Sequence, residues 1–283
     1  MQKIRRKGVT EVLRQHVDGE LEYLTFPKLD DTGLVEHIVA TRYGGVSEGI
    51  YGTMNLSFGR GDAKENVEKN YQIVARVIHS DAKDIVCTHQ THTTNVRRVS
   101  MEDKGKGIVI PRDYSDVDAL ITNEKDVVLS AFFADCVPIL FLDPVKKAIG
   151  SAHSGWRGTV GRIGREVVKS MQEAFDSEAK DIIACIGPSI CQSCYEVSED
   201  VAAQFAQEFG KDRASLILYR KDNGKYQLDL WMANYLVLTD AGVLPENISV
   251  TDICTCCNPQ YLFSHRASHG ERGGLGAFIK LIG

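Results

Sequence analysis

The sequence lacks the features that mark membrane, secreted and nucleic-acid-binding proteins. No apolar stretch reaches the ~18 residues that a membrane-spanning helix needs, and no apolar segment follows the basic N-terminus as it would in a secretory signal. Lys and Arg form no long run, since the basic start at residues 3–7 is short and the net charge is −5. We therefore expect a cytoplasmic protein that binds neither membranes nor nucleic acid.

Linkers and repeats are missing as well. The 283 residues include only 7 prolines, with no Ser-rich tract, low-complexity segment or internal repeat. Hydrophobic residues make up 43% of the chain, which is enough to bury a substantial core. We therefore expect one continuous domain over residues 1–283.

Eight cysteines are present, and in the cytoplasm we expect thiols or metal ligands in place of a disulfide framework. Residues 191–194 form a CxxC without the βαβ context of a redox motif. Together with residues 254–257 this segment could suggest a four-thiolate zinc site, but residues 254–257 read as a CxCC, which lacks the paired spacing of zinc ribbons. The thiols of both segments, Cys254 among them, are therefore expected to be packing or incidental, and turnover should not need Cys191, Cys194, Cys256 or Cys257.

Apolar periodicity predicts an alternation of strands and helices. Short apolar runs bounded by turn residues predict strands over residues 34–41, 84–88, 127–133, 139–142, 148–152, 182–186, 248–253 and 277–282, with a hairpin at Asp143-Pro144. Helical spacing predicts helices from a cap at Asp62 to residue 78 and over residues 159–175, 198–209 and 229–241. Mixed hairpins and crossovers predict an α+β fold, a single domain with mixed β-sheets and flanking helices.

Three segments place metal-capable side chains at predicted strand ends: residues 88–92, 134–138 and 152–158. Cys136, His153 and either His89 or His92 offer one thiolate and two imidazoles, which suit zinc. Three protein ligands leave a fourth coordination position open, as in catalytic zinc sites. Spacing does not choose between the two histidines, and scattered His and Cys residues are more often packing residues than ligands.

Two arginines stand beside glycines. Arg157 lies in a Gly-Trp-Arg-Gly segment that leads into a predicted helix, where amide groups and a guanidinium can bind an anion. Arg42, which precedes Gly44 and Gly45, is a second candidate anion ligand. The alternative for both is a structural or surface ion pair, the commoner fate of an arginine.

Over nearly its whole length the chain resembles the laccase-domain family of bacterial proteins, first described as polyphenol oxidases and later as purine nucleoside phosphorylases with adenosine deaminase activity. The most specific segments are Asp-Cys-Val-Pro at residues 135–138 and His-Ser-Gly-Trp-Arg-Gly at residues 153–158. The resemblance implies that the zinc ligands are His92, Cys136 and His153. Thr93 stands where the family often has Gly, and Ala267 follows Arg266 where the family often has a second arginine.

The resemblance implies zinc-dependent phosphorolysis of adenosine, inosine, guanosine or methylthioadenosine to a free base and ribose 1-phosphate, and deamination of adenosine to inosine. We expect Arg42 to bind phosphate, and Asn55 and Arg157 to contact substrate. Asp135, beside the predicted ligand Cys136, is expected either to transfer a proton or to orient that ligand.

Two alternatives remain at this point: a copper-dependent polyphenol oxidase, and a non-catalytic binding module stabilised by zinc. Eight histidines without a His-x-His pair disfavour a multicopper oxidase, although one His₂Cys set also resembles blue-copper ligation. The sequence leaves the preferred nucleoside and the oligomeric state open.

Overall fold

The computed structural model of the chain describes residues 4–8 and 11–282. Its strands are β1 (Arg14–Asp18), β2 (Leu21–Thr25), β3 (Val35–Ala40), β4 (Ile85–Cys87), β5 (Val96–Arg98), β6 (Ala119–Thr122), β7 (Val128–Phe133), β8 (Val137–Asp143), β9 (Ala148–Ser154), β10 (Ile183–Ile186), β11 (Glu196–Val197), β12 (Leu218–Arg220), β13 (Tyr226–Leu228), β14 (Ile248–Val250) and β15 (Leu275–Leu281). Its α-helices are α1 (Pro27–Asp30), α2 (Lys64–Val77), α3 (Trp156–Val160), α4 (Ile163–Phe175), α5 (Glu199–Ile217) and α6 (Leu230–Asp240).

The strands form two six-stranded sheets and one small sheet. The first sheet has the order β1-β2-β3-β15-β7-β4, the second β14-β10-β8-β9-β6-β5, and the small sheet β11-β13-β12. Both large sheets are mixed, because β4–β7, β5–β6 and β10–β14 are parallel while the other pairs are antiparallel. The predicted α+β fold, with mixed sheets and flanking helices in a single domain, is confirmed.

The two large sheets pack face to face, and alternation along β8 shows how. Val137, Ile139 and Phe141 pack on the side of helices α4 and α6, whereas Leu140 and Leu142 lie in the core between the sheets. Successive side chains of a strand point to opposite faces, so a strand buried on both faces is apolar throughout. This explains why β8 reads as an uninterrupted apolar run.

The central strand β15 of the first sheet repeats the arrangement. Ala277 and Ile279 lie in the core between the sheets, whereas Phe278 packs edge-on against Tyr71 of α2, with ring centroids 6.3 Å apart. The layers therefore run α2, first sheet, second sheet, then α4 and α6.

Most predicted elements are present, with changes at their ends. The hairpin at Asp143-Pro144 is confirmed, since β8 pairs antiparallel with β9. The helix predicted over residues 159–175 is interrupted, because Arg162 adopts a left-handed φ of 62° between α3 and α4. Asp62 does not cap α2. Its carboxylate accepts hydrogen bonds from Ser47 and Asn55, and the helix begins at Lys64.

No helix in the described part of the chain is both long and apolar enough to cross a membrane.

Candidate metal centre and active site

The three predicted metal ligands meet where the two large sheets adjoin. His92 lies in the loop between β4 and β5, Cys136 directly precedes β8, and His153 lies on β9, where it pairs with Pro138 of β8. One ligand atom from each of the three residues lies within 4.8 Å of the others. The structure thus brings together three side chains that the sequence spreads over about sixty residues.

A sharp turn at Asp135 positions the cysteine. Strand β7 belongs to the first sheet and β8 to the second, so the chain changes sheets within residues 134–136. Asp135 makes this change with a φ of 89°, and His92 has a φ of 64°. Positive φ values disfavour most side chains, although Asp, Asn and His adopt them more often than others. Both backbones are therefore held in place by tertiary contacts.

Asp118, just before β6, fixes both histidine ligands. Its Oδ1 accepts a hydrogen bond of 2.8 Å from His153 Nδ1 and one of 3.2 Å from the backbone N–H of His92. Its Oδ2 accepts bonds from the amides of Thr91 and Thr93 and from the Thr93 hydroxyl. Asp118 is fully buried, so this arrangement leaves His153 Nε2 to face a metal, as in carboxylate–histidine–zinc sites.

The electrostatics of the centre favour a cation. Burial disfavours charge on His153, but the Cys136 thiolate and Asp118 outweigh it and raise the pKa of His153 to about 9. Burial opposes ionisation of Asp118 too, yet the hydrogen bonds from His153 and the Thr93 amide lower its pKa. Burial and the neighbouring His153 lower the pKa of His92. A bound metal therefore has to replace a proton at His153, which makes metal uptake pH-dependent.

Gly155 leaves room for the ligands. A Cβ at this position would lie 2.6 Å from His92 Nδ1 and 3.1 Å from Cys136 Sγ, so no other residue fits without displacing them. One thiolate and two imidazoles, one of them oriented by a buried carboxylate, match the donors that zinc prefers. The residues present fit a three-ligand zinc centre.

Asp135 lies between the metal centre and a neighbouring loop. It is 8% exposed, and its Oδ1 accepts a hydrogen bond of 2.6 Å from Thr255 Oγ1. Its Oδ2 accepts one of 2.7 Å from the backbone N–H of Arg266. Both oxygens are therefore engaged, which fits an orienting role at least as well as proton transfer.

Arg42 and Asn55 bond neighbouring loops. Arg42 donates from Nε to Gly52 O at 2.9 Å and from Nη1 to Pro259 O at 2.7 Å, and its guanidinium lies over the Phe263 ring. Asn55 is fully buried, and its amide bonds Asp62, Ser57 and the backbone of Gly274. Both side chains therefore hold loops together through these bonds.

Arg157 lies beside the centre on the short helix α3. Its guanidinium stacks over the Trp156 ring, with Cζ 4.3 Å from the ring centroid, and its charge contributes to lowering the pKa of His92. Since α3 has only 5 residues, its helix dipole is small and the side chain itself is the stronger anion-binding group.

Two further arginines form a cationic surface near the metal centre. Arg60 and Arg272 line a cavity of about 520 Å³. Burial and the adjacent Arg60 lower the pKa of Arg272 to about 10, while Asp135 and Cys136 act in the opposite direction. Arg272 Nε is buried and has no hydrogen-bond partner within the described residues. Arg60 is exposed and Arg272 is partly buried, and Glu271 lines the same cavity. Two adjacent guanidinium groups beside a single carboxylate leave a net positive charge, which suits an anionic ligand.

Sequence reasoning missed Asp118, Arg60 and Arg272. Arg272 precedes Gly273-Gly274, and an arginine before two glycines is the pattern that made Arg42 a candidate, so Arg272 could have been predicted from the sequence. Asp118 carries no local signal, because its role depends on β6 lying beside β9.

The two cysteine-rich segments, which we expected to contain packing or incidental thiols, come together in the structure. Cys191, Cys194, Cys254 and Cys257 converge, with their sulfur atoms all within 4.8 Å of one another. Residues 254–257 contain a CxxC from Cys254 to Cys257, which Cys256 obscured when the segment was read as CxCC.

The family described as multi-copper polyphenol oxidoreductase laccase matches residues 36–282 of the chain. A protein of Bacillus subtilis named purine nucleoside phosphorylase YlmD is 40% identical over 243 residues, which cover 84% of this chain and 86% of that protein.

Solved structures agree with these sequence matches. The crystal structure of the hypothetical protein YfiH from Bacillus licheniformis superposes with a TM-score of 0.88 at 30% identity, covering 95% of this chain and 99% of that chain. The structure of YlmD from Geobacillus stearothermophilus gives a TM-score of 0.85 at 31% identity, with 97% and 100% covered.

Proposed function

Because the chain belongs to the laccase-domain family, whose relatives include proteins named purine nucleoside phosphorylase, we propose that it is a zinc-dependent purine nucleoside phosphorylase with adenosine deaminase activity. Its substrates are adenosine, inosine, guanosine or methylthioadenosine, together with phosphate, and residues 1–283 act as one domain. The observation that carries the proposal is the convergence of His92, Cys136 and His153 around Asp118, near a cavity that Arg60 and Arg272 line.

Zinc is the ion that the donor set supports best, held by His92 Nδ1 or Nε2, Cys136 Sγ and His153 Nε2. When bound, zinc supplies Lewis acidity and lowers the pKa of water. The chain fixes the geometry: Asp118 sets the tautomer of His153, and Gly155 keeps the space between His92 and Cys136 free.

In phosphorolysis, an oxygen of phosphate bonds to C1′ of the ribose while the bond from C1′ to the purine nitrogen breaks. The electron pair goes to the purine, which accepts a proton, and the sugar has oxocarbenium character in the transition state. We assign phosphate to Arg60 and Arg272, since both side chains border one cavity and Arg272 has an unsatisfied donor. Binding a dianion there also relieves the repulsion between the two guanidinium groups.

Asp135 is assigned to the junction between nucleoside and metal ligand. Its carboxylate either passes the proton to the departing purine or holds the turn that presents Cys136. Arg157, on helix α3 beside the ligand set, is assigned to the nucleoside. Arg42 and Asn55 act as positioning residues, because their polar atoms bond the loops that surround Gly52, Ser57 and Gly274.

Deamination needs water and no phosphate. Water adds at C6 of adenosine and ammonia leaves, so the arginine pair contributes little to this reaction. The two activities therefore share the metal centre and differ in their need for Arg60 and Arg272.

A copper-dependent polyphenol oxidase is the alternative that the family description raises. Of the eight histidines, only His92 and His153 belong to a potential metal cluster within the described residues. Multinuclear copper chemistry needs more imidazole ligands than this centre offers. Metal analysis and activity on adenosine also separate the enzyme from a non-catalytic zinc-stabilised module.

The test is incubation of the purified protein with adenosine, with and without phosphate, followed by chromatography. We expect inosine without adenine when phosphate is absent, and adenine together with inosine or its base hypoxanthine when phosphate is present. Oxidation of a phenol without turnover of adenosine would favour the copper alternative, and no turnover of either substrate would favour the binding module.

A further inference from the structure

The two CxxC segments lie far apart in the sequence and meet at one edge of the second sheet. Strands β10 and β14 are parallel neighbours, with Ile186 opposite Val250, so the segments that follow them leave the sheet at the same edge. An isolated bridge between Ser189 and Cys254 continues the pairing beyond the strands. The fold itself therefore brings residues 191–194 against residues 254–257.

The sulfur atoms have the spacing of a tetrahedral metal site. Cys194 Sγ lies 3.5 Å and Cys191 Sγ lies 4.0 Å from Cys257 Sγ, and all four sulfurs, including that of Cys254, lie within 4.8 Å of one another. A zinc ion with Zn–S bonds of ~2.3 Å places its sulfur ligands about 3.8 Å apart. A disulfide needs about 2.05 Å and would use only two of the four thiols.

Donor groups around the sulfurs support thiolates. Cys254 Sγ accepts hydrogen bonds from the backbone N–H groups of Cys191 at 3.2 Å and Cys257 at 3.4 Å. The Ser193 hydroxyl lies 3.2 Å from Cys191 Sγ, and the Lys7 ammonium donates to that hydroxyl at 3.3 Å. Four thiolates around a divalent ion leave a net charge of about −2, which amide donors and a nearby lysine offset.

We propose that Cys191, Cys194, Cys254 and Cys257 bind a zinc ion in a closed, four-thiolate structural site, separate from the three-ligand centre. A soft, all-thiolate set selects zinc over hard cations, and four protein ligands leave no position for substrate. Cys191 is 5% exposed and Cys254 is fully buried, whereas Cys194 and Cys257 are partly exposed, so the site lies at the edge of the core.

The ion stabilises the two loops that hold Asp135. Thr255, inside the second CxxC, donates its hydroxyl hydrogen bond to Asp135 Oδ1, and the Arg266 amide donates to Asp135 Oδ2. The Arg266 guanidinium in turn donates to the carbonyl of Cys194 at 3.0 Å. Zinc at the thiolate site therefore positions the turn that carries the catalytic ligand Cys136, although it takes no part in the chemistry.

The test is the metal content of four purified proteins, measured by elemental analysis. We expect about two zinc ions per chain in the wild type, about one in Cys254→Ser, about one in Cys136→Ala, and about two in Cys256→Ser. Cys256 is the matched control, because it lies in the same segment and its sulfur is outside the cluster. In Cys136→Ala, X-ray absorption should show the remaining zinc with four sulfur ligands at ~2.3 Å.

The proposal is overturned by a wild type with a single zinc that Cys136→Ala abolishes, or by mixed nitrogen and sulfur ligation in that variant. Iron at the four thiols would overturn the choice of zinc. If Cys254→Ser does not fold, the wild type and Cys136→Ala decide the question between them. The outcome is independent of the proposed activity, since neither measurement involves a nucleoside.

Discussion

Replacing Asp118 with asparagine tests how the metal centre is built. The carboxylate accepts two hydrogen bonds at Oδ1, from His153 and His92, and three at Oδ2, from Thr91 and Thr93. An asparagine has one acceptor oxygen, which satisfies most donors when it takes the Oδ2 position. Its NH₂ group then faces His153 Nδ1.

That contact reverses the tautomer of the ligand. His153 can accept from the new NH₂ group only if its proton moves to Nε2, the atom that should face the metal. Removal of such an orienting carboxylate typically costs 10–100-fold in metal affinity, or about 1.4–2.8 kcal/mol. We therefore expect Asp118→Asn to bind zinc at least tenfold more weakly than the wild type.

The assay is competition for zinc with a chromophoric chelator, on protein shown to be folded by circular dichroism. Asp116→Asn is the matched control: Asp116 belongs to the same loop and bonds the Thr91 hydroxyl, but it contacts neither histidine through its carboxylate. Asp116 also has a φ of 54°, which asparagine adopts readily. Equal zinc affinity in Asp118→Asn and the control would refute the orienting role.

Three further perturbations probe other parts of the account. Gly155→Ala should reduce zinc affinity at least tenfold, because its Cβ would lie 2.6 Å from His92 Nδ1. Gly158→Ala is the control, since its Cβ would have its nearest contact at 3.5 Å and should leave the affinity unchanged. Equal zinc affinities of the two variants would refute the close fit at Gly155. Arg272→Ala should slow phosphorolysis roughly 10- to 100-fold, because it loses a charged hydrogen bond of about 1.5–3 kcal/mol, and should leave the rate of deamination nearly unchanged. Arg42→Ala should lower both rates in parallel with thermal stability. The reverse pattern would show that Arg42, and not Arg272, binds phosphate. Burial lowers the pKa of His37 from 6.5 to about 4, so the unfolded chain takes up a proton at a higher pH than the folded chain. The free energy of unfolding should therefore fall by about 3 kcal/mol as the pH drops from 6.5 to 4. Chemical denaturation should show a shallower fall in His37→Gln, and the same dependence on pH in both proteins would contradict this.

Features with a local signal could be predicted from the sequence. The hairpin of β8 and β9 follows from two apolar runs around Asp143-Pro144, and that register places Pro138 opposite His153. Helix α6 ends where Gly242 follows it with a φ of 93°. The choice of His92 over His89 as a metal ligand did not come from a local signal. It came from family resemblance, because the spacing of the residues left both histidines possible.

Features that depend on strand order could not be predicted in the same way. Asp118 reaches His153 only because β6 pairs with β9, and the four thiols meet only because β10 and β14 are parallel neighbours. Arg42 shows that a local sequence pattern can also suggest the wrong contacts for a side chain. A glycine-rich context suggested an anion ligand, but the carbonyl groups of Gly52 and Pro259, one of them 217 residues away, already bind its guanidinium.

The most direct test of the central claim is to incubate inosine and phosphate with the zinc-loaded protein and to follow the products by phosphorus NMR together with chromatography of the base and the free sugar. We predict ribose 1-phosphate and hypoxanthine in equal amounts, with a rate that falls more than about a hundredfold, or ~2.7 kcal/mol, in Cys136→Ala. Hypoxanthine with free ribose in place of ribose 1-phosphate, or an undiminished rate in folded Cys136→Ala, would contradict it.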